Sequence, residues 1–486
     1  MAGITLDLEL SPAQAGRLLR VPALAGHRAG RARSQRVETI WHDTPAGDLA
    51  ARGLALSERR LGRARTWRLA ALHASPPGTV PPILAEAPSP EALGHALPAP
   101  LLPVVACAGT LRTLPLDAAG TGIMALSVLD GRLRAVAEEH AVCRVRLHGV
   151  ADPALALALA ETLDLPAPPD TLAAAALAIA GRSIPPAPPP PLDADQSVSA
   201  AFAALMARQL GVLLRLAPRA EAGDGTEPVH QMRVALRRLR SAMALFRRAV
   251  DCPQLAALKP GLKTIGQYLG PARDWDVFAE GTGRAVLDAF PEERAVARLQ
   301  EAVARKRADS YAALAAYLRG PGFRALGIRL AWVAAARPWD DLPPADAAQA
   351  TARARPLAEF AARALNRRMA HVQEPDGGDP AQLPAEALHA LRIQAKRLRY
   401  AAEFFAPLYP PRPVRRFVRR VSVLQDRLGQ LNDGTVAAGL MAALGAAERS
   451  YAAGVVRGYV AASHPRARVK ALRAWEKVRK LPPFWE

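Results

Sequence analysis

Two segments of the chain carry histidine and basic residues in the same order. His230, Arg233, Arg237 and Arg240 recur as His389, Arg392, Lys396 and Arg399, each pair 159 positions apart. A second motif keeps that offset: Leu269-Gly270-Pro271-Ala272-Arg273-Asp274 lands on Leu428-Gly429-Gln430-Leu431-Asn432-Asp433. Two motifs at one spacing mark a duplicated half-domain rather than two chance basic runs. Guanidinium, ammonium and imidazole groups repeated in this way suit charge-assisted hydrogen bonding to an anion, and their number calls for a large one.

Placed on a helix at about 100° per residue, Met232, Leu236, Leu239, Met243 and Phe246 share one arc. Leu391, Ala395, Leu398, Ala402 and Phe405 share the matching arc of the second copy, and these arcs must face a core. The basic residues fall on a neighbouring arc at i, i+3, i+7 and i+10. Arg238 and Arg397 lie off the stripes and are expected to face solvent or an acidic neighbour. Like charges at i,i+3 and i,i+4 destabilise a helix by about a few tenths of a kcal/mol per pair. A solvated helix face would explain one stripe alone. The same cost in both halves makes sense if a polyanion removes the repulsion on binding.

Composition sharpens this. The net charge is +20 over 486 residues, and it is unevenly placed. Residues 1–190 hold 18 Arg, no Lys and 16 acidic residues, whereas the remainder holds 46 basic against 28 acidic residues. The excess travels with the duplicated helices, and a field of that sign attracts nucleic acid, anionic membrane or polyphosphate. Cys107, Cys143 and Cys252 show neither metal-ligand spacing nor a paired framework and are expected to be buried in a reducing compartment. No signal peptide is visible, and Ala154–Ala160 and Leu172–Ala180 are too short to span a bilayer. A cytoplasmic protein with no membrane association is the expectation.

The elements that must position these residues divide at a polyproline stretch from Ile184 to Pro191, which should be extended and stiff. The expected organisation is an α+β region over 1–183, a linker over 184–192 and an all-helical region over 193–486. In the first region Ile4–Leu10, Ala55–Arg60, Thr66–Leu69, Ile123–Leu129, Arg132–Ala137 and Val142–Leu147 read as strands. Asp130-Gly131 reads as a hairpin turn, and Ser11–Leu19 and Pro153–Leu163 as helices. An antiparallel sheet or barrel follows. Beyond the linker nearly every segment has helical period. Breaks are expected at Pro218, Pro253, Gly270-Pro271, Gly320-Pro321, Pro338, Pro375–Pro380 and Pro410–Pro413. Leu255, Leu258, Leu262 and Ile265 map onto Val414, Phe417, Val421 and Leu424 by the same offset, so two related bundles should form. Asp274, Asp276 and Asp433 follow Gly-containing turns and are expected to cap helices or pair with stripe arginines rather than hold a metal.

The paired His-x-x-Arg-x-x-x-Arg/Lys-Arg-Leu-Arg and Leu-Gly motifs, with the closing Ala474-Trp475 and Pro483-Phe484-Trp485, resemble the CHAD family of histidine-bearing α-helical domains. The resemblance covers roughly Asp193 to Glu486. It implies two four-helix bundles related by a pseudo-twofold, with a basic central groove that binds inorganic polyphosphate. It assigns that role to His230, Arg233, Arg237, Arg240, His389, Arg392, Lys396 and Arg399. Lys259, Lys263, Arg415, Arg416, Arg419 and Arg420, on the following helices, are weaker candidates because their positions do not match across the repeat. An interhelical hydrogen bond that fixes the bundle is the alternative role for either histidine. Association with polyphosphate granules is a further expectation.

The N-terminal region resembles a CYTH, or triphosphate-tunnel, domain of α+β antiparallel barrel fold. The clues are Leu6–Leu10 followed by Ser11–Arg20, Trp41-His42-Asp43-Thr44-Pro45, Ala51-Arg52-Gly53-Leu54-Ala55-Leu56, and a late strand ending at Gly149. Active members of that family use an ExExK strand to hold metal, and here Thr5, Asp7 and Glu9 stand in its place. Ser57-Glu58-Arg59 replaces Arg-x-Arg, and Cys143-Arg144-Val145-Arg146-Leu147 replaces a late acidic strand. Losing carboxylates removes the ligands Mg²⁺ requires. The expectation is a polyphosphate binder with no catalytic residues, metal or cofactor. The alternatives are a metal-dependent triphosphatase or polyphosphatase acting in the N-terminal domain, and non-specific nucleic-acid binding. Aromatic residues make up 5% of the chain and none interleave with the stripes, which gives base stacking little support.

Overall fold

The computed structural model describes residues 3–136, 138–188, 192–375, 383–444 and 451–486, without the side chains of 385, 432–435 and 463–464. Among the described residues, eight strands build the N-terminal region: β1 (Ile4–Glu9), β2 (Arg33–Asp43), β3 (Leu54–Leu61), β4 (Ala64–Ala71), β5 (Ile83–Ala87), β6 (Leu102–Pro115), β7 (Ala125–Arg134) and β8 (Glu139–Val150). They form one antiparallel sheet in the order β1-β8-β7-β6-β2-β3-β4-β5. The sheet curls until Leu6 of β1 bridges Thr79, just ahead of β5, and Asp7 N–H donates to the Gly78 carbonyl at 2.9 Å. The result is a nearly closed half-barrel.

The expected hairpin at Asp130-Gly131 is not a turn. β7 runs straight through it, with Asp130 opposite Thr110 and Gly131 opposite Gly109. A Cβ on Gly109 would lie 2.3 Å from the Asp130 carbonyl oxygen, so these glycines allow close strand approach rather than a reversal. Strands β2, β5 and β6 are not among those expected from alternation. The helices Pro12–Leu18 and Ala154–Thr162 lie where the sequence places them, and Leu172–Ile179 is a further one.

Nine long helices follow among the described residues: α1 (Val198–Glu221), α2 (Glu227–Val250), α3 (Lys259–Phe278), α4 (Arg294–Arg319), α5 (Pro321–Ala336), α6 (Leu357–Gln373), α7 (Ala385–Phe405), α8 (Pro411–Ala443) and α9 (Tyr451–Arg479). α1 to α4 pack around one another as a four-helix bundle, and α6 to α9 do the same. α1 is long and apolar enough to cross a bilayer, and its apolar length is taken up as the core helix of the first bundle. Residues equivalent under the repeat meet where the bundles join. Ser197 bridges Pro356, and the rings of Phe246 and Phe405 lie 5.9 Å apart. Self-pairing of equivalent positions is what a twofold axis produces.

Three expected boundaries fall inside helices. Pro218 sits within α1 and Pro271 within α3. α8 runs through the second Leu-Gly motif to Ala443. In α3 the buried series Leu262, Ile265, Leu269, Ala272, Trp275 and Phe278 continues across Pro271, so packing on the bundle core outweighs the lost N–H. The expected break at Pro375–Pro380 and the polyproline core extend beyond the described residues.

The largest core cluster joins the two regions. It contains Leu6, Leu8, Val145 and Leu147 of the sheet together with Ile328, Leu330, Ala331 and Trp332 of α5. Trp332 Nε1 donates to the Val150 carbonyl at 3.4 Å, and Arg324 pairs with Asp164 at 2.9 Å. Gly78 at this junction has a φ of +81°, and a Cβ there would lie 2.9 Å from Ala167 Cβ. Phe246 is fully buried against Phe202, Phe360 and Phe405. Phe246→Ala should therefore cost about 3–5 kcal/mol, read as a lower urea midpoint in a single cooperative transition. A loss under about 1 kcal/mol would place the ring outside the shared core.

Candidate polyanion-binding site

α2 carries the first stripe and α7 the second. On each, the buried arc is the apolar one read from sequence: Met232, Leu236, Leu239 and Phe246, then Leu391, Ala395, Leu398 and Phe405. The bundles pack so that the basic arcs converge. Arg233, Arg237 and Arg392 all bear electrostatically on Lys396, and Arg399 and Arg392 bear on Arg237. Burial, reinforced by Arg237 and the other arginines, pushes Lys396 down to about 8. Burial likewise lowers Arg237. Neither has a carboxylate in ion-pair range among the described residues, and Arg237 Nε has no hydrogen-bond partner among them.

The Leu-Gly motif seats the stripe. Arg233 Nη1 donates to the Gly270 carbonyl at 2.7 Å, and Nη2 pairs with Asp274 at 3.0 Å. A Cβ on Gly270 would lie 3.5 Å from Arg233, and one on Gly429 would lie 3.8 Å from Arg392 Nε. The two motifs thus meet in both halves, with the stripe arginine lying at contact distance from the glycine of its Leu-Gly partner. Asp274 pairs with a stripe arginine as expected. Asp276 does not: it is fully buried within α3 and accepts from Arg307 at 2.6 Å and Tyr311 at 2.8 Å. The Asp433 side chain lies outside the described residues.

The remaining candidates are more dispersed. Burial, then Arg273, lowers His230, which disfavours its protonated form in the free protein. His389 is exposed. Arg240 is exposed, with its guanidinium beside Gly266 of α3. Arg399 pairs with Glu403 at 3.5 Å, and Glu403 also takes Arg238 at 2.5 Å. Arg238 has the acidic neighbour expected for it, and Arg397 is exposed. Lys259 and Lys263 are exposed on α3. Arg415 and Arg419 line a hollow with Glu403, whereas Arg420 faces a separate groove against α9, and Arg416 borders both.

The half-barrel encloses a second basic site that sequence reading missed. A cavity of about 490 Å³ is lined by Arg59, Arg68, Arg144, Arg146 and His148, with Ser57, Thr39 and Ser127. Alternation was the available signal, since positions 144, 146 and 148 of one strand share a face. The carboxylate of Asp7, buried on β1, is 3.2 Å from Arg146 Nε and 4.0 Å from Arg144 Nη1. Arg144 is 3% exposed, Nη2 donates to the Asp170 carbonyl at 3.3 Å, and Nε has no hydrogen-bond partner among the described residues. Burial, then Arg68 and Arg146, lowers Arg59. No group of three or more potential metal ligands occurs among the described residues. Cys107, Cys143 and Cys252 are free and buried; burial pushes Cys107 up to about 11 and Cys143 up to about 12.

Comparison with known proteins adds to this geometry. Residues 204–442 match the CHAD domain family. The CHAD domain crystal structure from the plant Ricinus communis aligns with a TM-score of 0.50 and 28% identity, covering 61% of this chain and 96% of that one. PptA from Streptomyces chartreusis aligns at 0.42 and 20% identity, over 58% of this chain and 100% of that one. The adenylyl cyclase-type protein HpAC1 from Hippeastrum, described as having a dominant triphosphatase activity, aligns at 0.23 and 16% identity, over 33% and 84%. Comparison with curated proteins finds no match. The stripe helices α2 and α7 with their Leu-Gly partners are therefore the centre of a CHAD domain, the family to which residues 204–442 of this chain belong.

Proposed function

We propose that the chain binds inorganic polyphosphate along the basic seam between α2 and α7 and does not cleave it. The observation that carries this is the pair Arg237 and Lys396. They come from opposite halves of the repeat, are partly buried among like charges, and have no carboxylate in range among the described residues. Arg233, Arg392 and Arg399 extend the seam, with His230, His389 and Arg240 at its margins. Arginine forks match phosphate oxygens, and a linear polyanion supplies a charge at every repeat. A neutral His230 could donate from one nitrogen, and a bound polyanion would favour its protonated form. The setting consistent with this reading is the cytoplasm, in association with polyphosphate granules.

In the N-terminal cavity the same reasoning favours holding an anion over hydrolysis. Asp7 is committed to Arg146 and Arg144, so the lining offers arginine donors where metal-dependent hydrolysis needs carboxylates. Incubation with tripolyphosphate and Mg²⁺ or Mn²⁺ should release no phosphate above background. Turnover abolished by Asp7→Ala would overturn this half of the reading.

Titration with long-chain polyphosphate and with duplex DNA at several salt concentrations tests the seam. Affinity for both should fall with salt as counterions are released, and polyphosphate should be preferred near physiological salt. Neutralising Arg233, Arg237, Arg392 and Lys396 together to Gln should weaken polyphosphate binding by roughly 100-fold or more, with helix content unchanged by circular dichroism. Equal affinity for DNA, or tight binding by the quadruple variant, would defeat the assignment.

Lys396 gives the binding a pH dependence of known sign. In the free protein it loses its proton near pH 8, and a bound polyanion raises that value. Between the two values, binding takes up a proton, so affinity should fall as pH rises above about 8, with a slope of up to about tenfold per pH unit. Lys396→Arg keeps its charge and should flatten the profile above about pH 8. An unchanged slope in that variant would remove Lys396 from the seam.

A further inference from the structure

The outer face of the second bundle carries cations that the central seam does not use. On α8, Arg416, Arg420 and Arg427 form a stripe at i, i+4 and i+11. On α9, which packs beside it, Lys470, Arg473 and Lys477, with Lys480 just past the helix end, form another at i, i+3, i+7 and i+10. The two stripes line opposite walls of an open groove with adjoining hollows of about 730 Å³ and 200 Å³. Glu476 is the acidic residue lining these hollows, and it is already paired with Arg479 at 3.3 Å and Lys480 at 3.4 Å. Each stripe runs for roughly 15 Å of helix axis.

The repeat indicates that the fold does not require this charge. Positions 416, 420 and 427 correspond to Ala257, Gly261 and Tyr268 in the first half. There the equivalent face is covered by α5: Gly261 packs on Leu326, Tyr268 stacks on Tyr317 at 4.5 Å, and Tyr317 meets Phe323 at 6.3 Å. One half closes its groove with a helix of the chain itself, while the other leaves the groove open and lines it with cations.

We propose that the α8–α9 groove is a second track for a linear phosphate polymer, separate from the α2–α7 seam, so that one protein can hold two polymer segments. This rests on the polyphosphate reading of the seam and adds a second site to it. Like charges at these spacings repel in the empty groove and are relieved by a polyanion. Single-stranded nucleic acid would need exposed rings to stack on, but Trp475, the indole lining the groove, is 5% exposed. A docked helix would need a continuous apolar floor, whereas the apolar groups here, half-buried Leu472 and Leu481 and exposed Val423, are interspersed with the cations.

The test compares wild type with a groove variant carrying Arg416→Gln, Arg420→Gln, Arg473→Gln and Lys477→Gln. A control removes equal charge from the exposed face of α4 through Arg294→Gln, Arg298→Gln, Arg305→Gln and Lys306→Gln. With long-chain polyphosphate, a protein with two tracks cross-links chains and scatters light, as multivalent binding requires. The groove variant should lose this scattering while its affinity for short chains stays within about twofold of wild type. The control should scatter as wild type does. In the seam variant, residual weak binding should remain and should vanish when the groove substitutions are added. Scattering retained by the groove variant, or lost equally by the control, overturns the second track and leaves the seam standing. No polyphosphate binding by wild type would instead refute the seam reading itself. A groove variant that loses duplex DNA binding but keeps polyphosphate scattering would assign the groove to nucleic acid and overturn the proposal.

Discussion

Repulsion between the two stripes is the constraint around which the helical region is organised. Arg233 and Arg237 of one half are held near Arg392, Lys396 and Arg399 of the other in a partly desolvated seam. Left alone, these charges would push α2 and α7 apart. The apolar arcs beside them hold the halves together through the cluster of Phe202, Phe246, Phe360 and Phe405. Each aromatic ring buries a large apolar surface, and that burial has to outweigh a repulsion that salt screens only in part at these half-buried positions. Packing therefore wins, and the unrelieved charge remains for a ligand. The lowered Lys396 reflects its burial first and the neighbouring arginines second.

Much of this is legible from periodicity. The helix-long arcs of α2 and α7 follow from the spacing of Met232, Leu236, Leu239 and Phe246 and of their repeat mates, because a bundle needs one apolar stripe per helix. The convergence of the stripes follows less directly. It depends on the twofold relation seen at Ser197 with Pro356 and at Phe246 with Phe405, which a fixed offset suggests but does not orient. Pro218 and Pro271 look like helix breaks in the sequence and are not, because proline's local penalty is smaller than the tertiary packing on either side. The environment of Asp276 is hidden for a related reason: its partners Arg307 and Tyr311 lie on α4, more than thirty positions away.

The sheet is harder to read. Gly131 has the sequence signature of a turn and the structural role of a spacer against Gly109. In the sequence Arg144 and Arg146 register as losses of carboxylate; their positive role emerges only once β8 places them beside Arg59 and Arg68 inside the curled sheet. Charge summed along the sequence hides this as well. Four arginines of the near-neutral N-terminal region, Arg59, Arg68, Arg144 and Arg146, converge on one cavity, so a balance taken over the whole segment understates the local field.

The contact between α5 and the sheet changes the meaning of the proline stretch that joins the two regions. Leu330, Ala331 and Trp332 share one core with Leu6, Leu8, Val145 and Leu147 of the barrel wall. A stiff segment between freely moving bodies would act as a spacer. Here the two regions it connects are already joined by an element from far downstream. Severing the chain at the prolines would not release two self-sufficient proteins: each fragment would carry an oily scar where the other had been, and a greasy, self-associating product should be anticipated from either half.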